Sequence, residues 1–193
     1  MEHFYTIQGE GFHTGTAAYF IRLAGCDVGC VWCDVKDSWY TEGYPVLTIE
    51  EIIAEVKKHP VKTIVITGGE PWMYNLNNLT STLIKQGYKT HIETSGAHPP
   101  SGNWDWITLS PKKFKEPLPE ALQRADELKV IVYNKTDFKW GEQYAEKVLE
   151  KCKLFLQPEW SKQEAMVPLI IDYAKQKPQW RISLQTHKFM DIP

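Results

Sequence analysis

Seven short runs rich in β-branched and apolar residues recur along the chain, near 17–24, 63–67, 89–93, 105–109, 128–133, 153–157 and 181–184, with helical segments between several of them. That alternation constrains the fold most, because strands separated by crossover helices pair in parallel. The clearest helix begins at Thr48, where Thr48 and Glu51 make a capping-box pattern and Ile49, Ile52, Ile53 and Val56 recur on one face. Others are expected from about 77 to 86, closed by Gly87, over roughly 139–151, and over roughly 164–176 with a late start at Pro168. Between Glu93 and Asp105 the chain is too rich in glycine and proline for a crossover helix. A complete eightfold β/α barrel takes about 250 residues, and this chain has 193. The expectation is therefore an α/β chain forming a reduced, incomplete parallel β/α barrel of six to seven strands, with residues 1–193 as one domain.

Composition matters chiefly through the cysteines. A chain of this length buries a sufficient core without disulfides, so its four cysteines are free for chemistry. Cys152 follows Ala145, Val148 and Leu149 at helical spacing and reads as a buried, inert thiol. Cys26, Cys30 and Cys33 form C-x3-C-x2-C. They can hold zinc with His3 or His13 as a fourth ligand, or an iron–sulfur cluster with one iron left open for a substrate or cofactor. The net charge of −2 and the absence of a basic stripe or an 18-residue apolar window point away from nucleic acid and membrane and towards a small polar substrate in the cytosol.

Barrel enzymes assemble their sites where the strands end, and polar residues gather there repeatedly. Ile64-Val65-Ile66 runs into Thr67-Gly68-Gly69-Glu70-Pro71, where paired glycines admit a ligand to the backbone and Glu70 offers a carboxylate to an ammonium. Glu93-Thr94-Ser95-Gly96, Ser110-Pro111-Lys112 and Gln157-Pro158 follow three further strands. Of 22 basic residues only three are arginines, and Arg22 lies inside an apolar strand. Its planar fork needs an acceptor, either a substrate carboxylate or a structural partner such as Glu10 or Glu70. Past the last strand, His187 and the terminal carboxylate of Pro193 lie within reach of the same mouth.

The cysteine spacing, with Trp32 before the last cysteine, resembles the radical S-adenosylmethionine superfamily. The opening Tyr5-Thr6-Ile7-Gln8-Gly9-Glu10-Gly11, then Arg22, the Gly-Gly-Glu-Pro turn, the strand-end segments and the terminal Gln185-Thr186-His187-Lys188 resemble, from first residues to last, the family of 7-carboxy-7-deazaguanine synthases. The resemblance implies a radical lyase that converts 6-carboxy-5,6,7,8-tetrahydropterin to 7-carboxy-7-deazaguanine with loss of ammonia. It implies a 4Fe-4S cluster on Cys26, Cys30 and Cys33. It places S-adenosylmethionine against Trp32, Asp34, Gly69, Glu70, Ser110, Pro111, Lys112, Gln157 and Pro158, with Glu159 and Trp160 as neighbours. The pterin then falls to Ile7, Gln8, Gly9, Glu10, Arg22, Thr67, His187 and Pro193. The family often has a magnesium-binding threonine two residues after the last cysteine. Here that residue is Val35, which has no side-chain oxygen to offer, so a weaker or altered magnesium dependence is expected.

The same resemblance implies a homodimer and a one-electron donor such as flavodoxin. Two rivals share part of the pattern. An activase that makes a glycyl radical on a partner protein would keep the cluster and the glycine turn without needing Arg22 or His187. A zinc-stabilised binding module would keep the cysteines alone.

Overall fold

The computed structural model describes residues 2–33 and 35–193. One eight-stranded sheet organises them, in the order β1-β2-β3-β4-β5-β6-β7-β8, so neighbours in sequence are neighbours in space. The strands are β1 (Glu2–Ile7), β2 (Ala17–Leu23), β3 (Thr63–Gly68), β4 (Lys89–Thr94), β5 (Trp106–Leu109), β6 (Glu127–Val132), β7 (Lys153–Pro158) and β8 (Trp180–Ile182). From β2 to β8 every pairing is parallel. Among the described residues no pairing joins β8 back to β1, so the barrel is open. The expected incomplete parallel barrel is what forms, with one strand more than the six to seven expected. The extra strand is β1, which pairs antiparallel with β2 from Glu2↔Arg22 to Ile7↔Ala17.

Helices α1 (Ile49–Val56), α2 (Asn77–Lys85), α3 (Pro119–Arg124), α4 (Thr136–Ala145) and α5 (Gln163–Gln176) fill the crossovers, and α6 (Thr186–Met190) closes the chain. Among the described residues no helix lies between β4 and β5. At α1 the capping box forms in full, with the Thr48 hydroxyl accepting from the Glu51 N–H and the Glu51 carboxylate accepting from the Thr48 N–H. Two helix expectations are corrected. α5 starts at Gln163 and runs through Pro168; proline at the sixth position forfeits one bond, to the Glu164 carbonyl, and Ile170 is fully buried just beyond it. The helix expected over 139–151 is α4, which ends at Ala145, so Cys152 lies in the turn before β7 rather than on a helix. It is nevertheless buried, and burial pushes its thiol up to about 12.

Strand alternation divides the sheet into two faces. Tyr19, Ile21, Ile64, Ile66, Ile92, Leu128 and Val130 join the core under the helices, while Ala18, Phe20 and Val65 line the barrel interior with Phe4. The segment between β1 and β2 enters that interior from the edge where the parallel strands begin. Its Phe12 N–H donates to Glu127 Oε2 at 3.1 Å, and the Gly11 N–H donates to Ser183 Oγ at 2.9 Å. His13 packs there against His91, with ring centroids 4.5 Å apart, and against Trp106.

His91 is buried, and burial first, then the neighbouring His13, pull its imidazole down to about 4. The unfolded imidazole titrates near 6.5, so between these values the unfolded chain binds a proton that the folded chain does not. Stability is therefore expected to fall as pH drops from about 6.5 towards 4, by on the order of 3 kcal/mol for this group. Thermal unfolding across that range should show a steep acid limb that His91→Phe flattens. An identical limb in the variant would remove His91 as its source.

Candidate active site

The exits of the parallel strands ring one cavity of about 260 Å³. The loop after β2 brings Cys26, Cys30, Trp32 and Cys33 to its wall, and β3 ends on it with Thr67, Gly68, Gly69 and Glu70. Ser110 and Lys112 arrive after β5, Gln157 and Pro158 at the end of β7, and His187 and Pro193 from beyond β8. Ile7, Gln8, Gly9 and Glu10 form the floor, delivered from the opposite edge by the β1–β2 connection, and Arg22 lines the mouth with Phe4 and Phe20. Eighteen candidate residues scattered from position 7 to position 193 thus converge. Pro111 does not join them; with Trp32 and Phe114 it lines a smaller recess next door. Asp34 lies outside the described residues.

The cysteine loop fits an iron–sulfur cluster better than zinc. Cys30 is buried with Val28 and Ala97, and Cys26, Trp32 and Cys33 pack against them, giving an apolar pocket open on the cavity side. Burial raises the Cys26 thiol and pushes that of Cys30 up to about 11. Structural zinc asks for a fourth ligand beside the three thiols. A cubane asks for something else, one thiolate on each of three irons around a volume. The proposed zinc partners are also elsewhere. His3 Nδ1 lies 2.6 Å from the Tyr19 hydroxyl, and His13 packs on His91.

Backbone approach is tight where the glycines demand it. A Cβ on Gly69 would fall 2.1 Å from the Gly25 carbonyl oxygen and 2.9 Å from that of Ser38, so alanine there would push the β3 exit away from the cysteine loop. A Cβ on Gly9 would fall 2.3 Å from His187 Nδ1. Gly9 is also tied to the C-terminal segment through its carbonyl, which accepts from the Thr186 N–H and hydroxyl, both at 2.9 Å. Gly9→Ala is therefore expected to displace His187 and lower kcat/KM for the substrate by about 10²-fold, leaving S-adenosylmethionine binding intact. Steady-state kinetics beside equilibrium dialysis of the cofactor would check it.

Three side chains take roles other than those the sequence suggested. Glu70, 1% exposed, spends its carboxylate on the protein: Oε1 accepts from Thr94 Oγ1 and the Trp72 N–H, and Oε2 from the Ser95 N–H and hydroxyl. Four donors fill the roughly four lone-pair positions of a carboxylate, so Glu70 braces the exit of β4 instead of receiving an ammonium. Arg22 pairs with neither Glu10 nor Glu70; its guanidinium donates to Glu2 Oε1 at 2.8 Å and stacks over Phe4. The side chain of Gln157 accepts from Ser183 Oγ at 2.6 Å and neighbours Glu10, which puts it at the floor. Lys112 lies on the cavity wall, donating to Ser110 Oγ at 2.6 Å with its ammonium 5.5 Å over the Trp32 ring.

The floor also contains residues the sequence reading passed over. Lys129 of β6, 4% exposed, donates to Glu10 Oε2 and lies 3.8 Å from Glu93 Oε2, and Gln185 Nε2 donates to Glu10 Oε1 at 2.9 Å. The available signal was the alternation Glu127-Leu128-Lys129-Val130, which puts both charges on the inward face.

A three-cysteine loop at the exit of a parallel strand, followed by a glycine-rich turn on the next one and facing a shared cavity, defines a radical S-adenosylmethionine protein, and the Radical SAM superfamily model matches residues 20–134. Within that class the chain belongs to the 7-carboxy-7-deazaguanine synthase family. It is 56% identical to the 7-carboxy-7-deazaguanine synthase of Flavobacterium psychrophilum over 193 residues, covering 100% of this chain and 91% of the relative. It is 47% identical to that of Synechocystis sp. over 99% of this chain and 91% of the relative, and 36% identical to that of Escherichia coli K12 over 99% and 97%. The crystal structure of QueE from Escherichia coli superposes with a TM-score of 0.85 at 33% identity, covering 95% of this chain and 91% of that one.

Proposed function

We infer that this chain is a carbon–nitrogen lyase that converts 6-carboxy-5,6,7,8-tetrahydropterin to 7-carboxy-7-deazaguanine with loss of ammonia, on the route to queuosine and related deazapurines. The observation that carries the reading is the convergence on one cavity of the cysteine loop, the Gly-Gly-Glu-Pro turn, the N-terminal floor and the C-terminal tail. When bound, the cluster and S-adenosylmethionine supply one-electron reduction and hydrogen abstraction, the difficult part of the chemistry.

The chain's own residues place the reactants. Cys26, Cys30 and Cys33 hold the cluster. Trp32, Gly69, Ser110, Lys112 and Pro158 form the cofactor wall, with Glu70 and Gln157 setting its shape from behind and below, and the family resemblance adds Asp34 and Pro111 as cofactor contacts. Arg22 and His187 take the substrate carboxylate, Arg22 exchanging its Glu2 partner for it, and Glu10 with the Pro193 carboxylate accepts from the donor edge of the pterin. Glu10 suits that task because it stays anionic: burial raises its carboxyl, but Lys129 and Gln185 outweigh burial and bring it down to about 2. Val35 brings no side-chain oxygen to the wall, so any magnesium is held by substrate, backbone or water, or by a neighbour such as Asp37 or Ser38. Its titration should give a shallower activity response than in a threonine-bearing relative, and an equally steep one would refute this.

A homodimer working in the cytoplasm, reduced by a flavodoxin-like donor and making no direct contact with nucleic acid, completes the reading. The net charge of −2 supports its last part. Among the described residues no helix is long and apolar enough to cross a membrane. Anaerobic incubation of the reconstituted, reduced protein with cofactor and carboxytetrahydropterin should yield deazapurine and ammonia. Cofactor cleavage that the pterin neither stimulates nor channels into product would point to an activase, and one zinc without sulfide to a binding module.

A further inference from the structure

The floor of the cavity holds more charge than closing the barrel requires. Lys129 projects from the inward face of β6, and carboxylates meet it from two other elements: Glu10 from the segment after β1 and Glu93 from β4, its Oε2 3.8 Å from the ammonium. Each carboxylate also has amide donors, Gln185 at 2.9 Å and Gln157 for Glu10, and Gln8 at 2.9 Å for Glu93. Glu127 lies beneath on the same strand, its carboxyl raised by burial, and Lys112 is the other ammonium acting on this group. A buried ion cluster is poor at stabilising a fold, since an apolar core of the same volume does as well or better. Glu10, Glu93 and Lys129 moreover all border the cavity, so their charges face whatever occupies it. Two carboxylates meeting one ammonium in a low-dielectric wall would share a proton if that cation were removed.

We propose that Lys129 is a positioning residue whose ammonium keeps Glu10 and Glu93 ionised together, so that both offer acceptors to the row of N–H donors along an aminopyrimidinone ring edge. The proposal rests on the pterin reading above and deepens it. Glu93 and Lys129 become part of ring recognition, and selectivity falls against rings whose corresponding edge carries acceptors, because these would meet two carboxylates. The low titration point of Glu10, about 2, accords with this geometry.

The test is equilibrium dialysis of 6-carboxypterin against cluster-loaded protein, wild type and Lys129→Gln, from about pH 6 to about pH 9, with S-adenosylmethionine affinity and thermal midpoint measured alongside. Glutamine keeps a donor for Glu10 without the charge. Near neutral pH the variant should bind the pterin about tenfold or more weakly. Its affinity relative to wild type should recover as pH rises and the shared proton leaves, and taking the ratio cancels the pterin's own ionisation. Cofactor affinity should stay unchanged. A ratio that is flat with pH, or pterin affinity equal to wild type, would overturn the proposal, as would parallel loss of both ligands with a lowered midpoint. If the glutamine variant does not fold, Lys129→Met must show the same recovery with pH. Wild-type protein that binds cofactor but no carboxypterin would instead sink the functional reading, and this inference with it.

Discussion

Alanine at Cys26, Cys30 or Cys33 should leave the protein without a complete cluster after anaerobic reconstitution and reduce deazapurine formation to the uncatalysed background. Each of these thiols serves a different iron of a cubane, so no remaining side chain stands in for a lost one. Histidines do not substitute either: His98 beside the loop is committed to Asp27, and His3 lies away from it on Tyr19. Cys152→Ala is the control. That thiol lies at the entrance of β7, on the edge of the sheet opposite the cysteine loop, and is 6% exposed. Its replacement removes a small buried hydrophobe, costing about 1 kcal/mol of stability with normal iron and sulfide content. Iron, sulfide and product should therefore fall together in three variants and remain in the fourth. A full cluster in Cys30→Ala would dismantle the assignment of the loop.

What the sequence made legible follows from the range of the interactions involved. The seven parallel strands were visible because β-branched runs declare themselves locally, and their polar exits could be placed on one rim because parallel strands end on the same side. β1 was hidden. Its residues carry both strand pairing and the start of the floor motif, and reading them as a binding segment obscured the edge strand. The register Glu2↔Arg22 also supplies the partner of Arg22, which without β1 has only a substrate carboxylate or distant acids such as Glu10 and Glu70 to turn to. Lys129 shows a different limit. The inward face of β6 could be inferred from alternation, but a lysine between two carboxylates 36 and 119 positions away is a long-range fact. Pro168 misled because a proline penalty is local, whereas the packing of α5 on β7 and β8 is not.

The brace at Glu70 carries the second large effect. Its two oxygens take four protein donors, two of them the backbone N–H groups of Trp72 at 3.1 Å and Ser95 at 2.8 Å, in a place where Glu70 is 1% exposed and Ser95 is also buried. Alanine would strand those N–H groups, since hydroxyls can rotate to new acceptors but peptide groups cannot. Each stranded donor costs about 1–3 kcal/mol, and the vacated space adds to it. Glu70→Ala is therefore expected to lose about 3–5 kcal/mol, a fall in thermal midpoint on the order of 10 °C for a chain of this size. Glu70→Gln should lie between, because its oxygen can serve one pair of donors while its amide turns hydrogens towards the other. The functional loss should be uneven. Glu70 joins the exit of β3 to that of β4, and Gly69 beside it presses against Gly25 at the head of the cysteine loop. Slackening there moves the cofactor wall, whereas Gly9, Glu10 and Gly11 are anchored through Thr186, Lys129 and Ser183 instead. S-adenosylmethionine affinity should consequently drop well before pterin affinity does. A Glu70→Ala protein that melts with wild type, or that loses both ligands equally while remaining folded, would show that the carboxylate faces the cofactor after all.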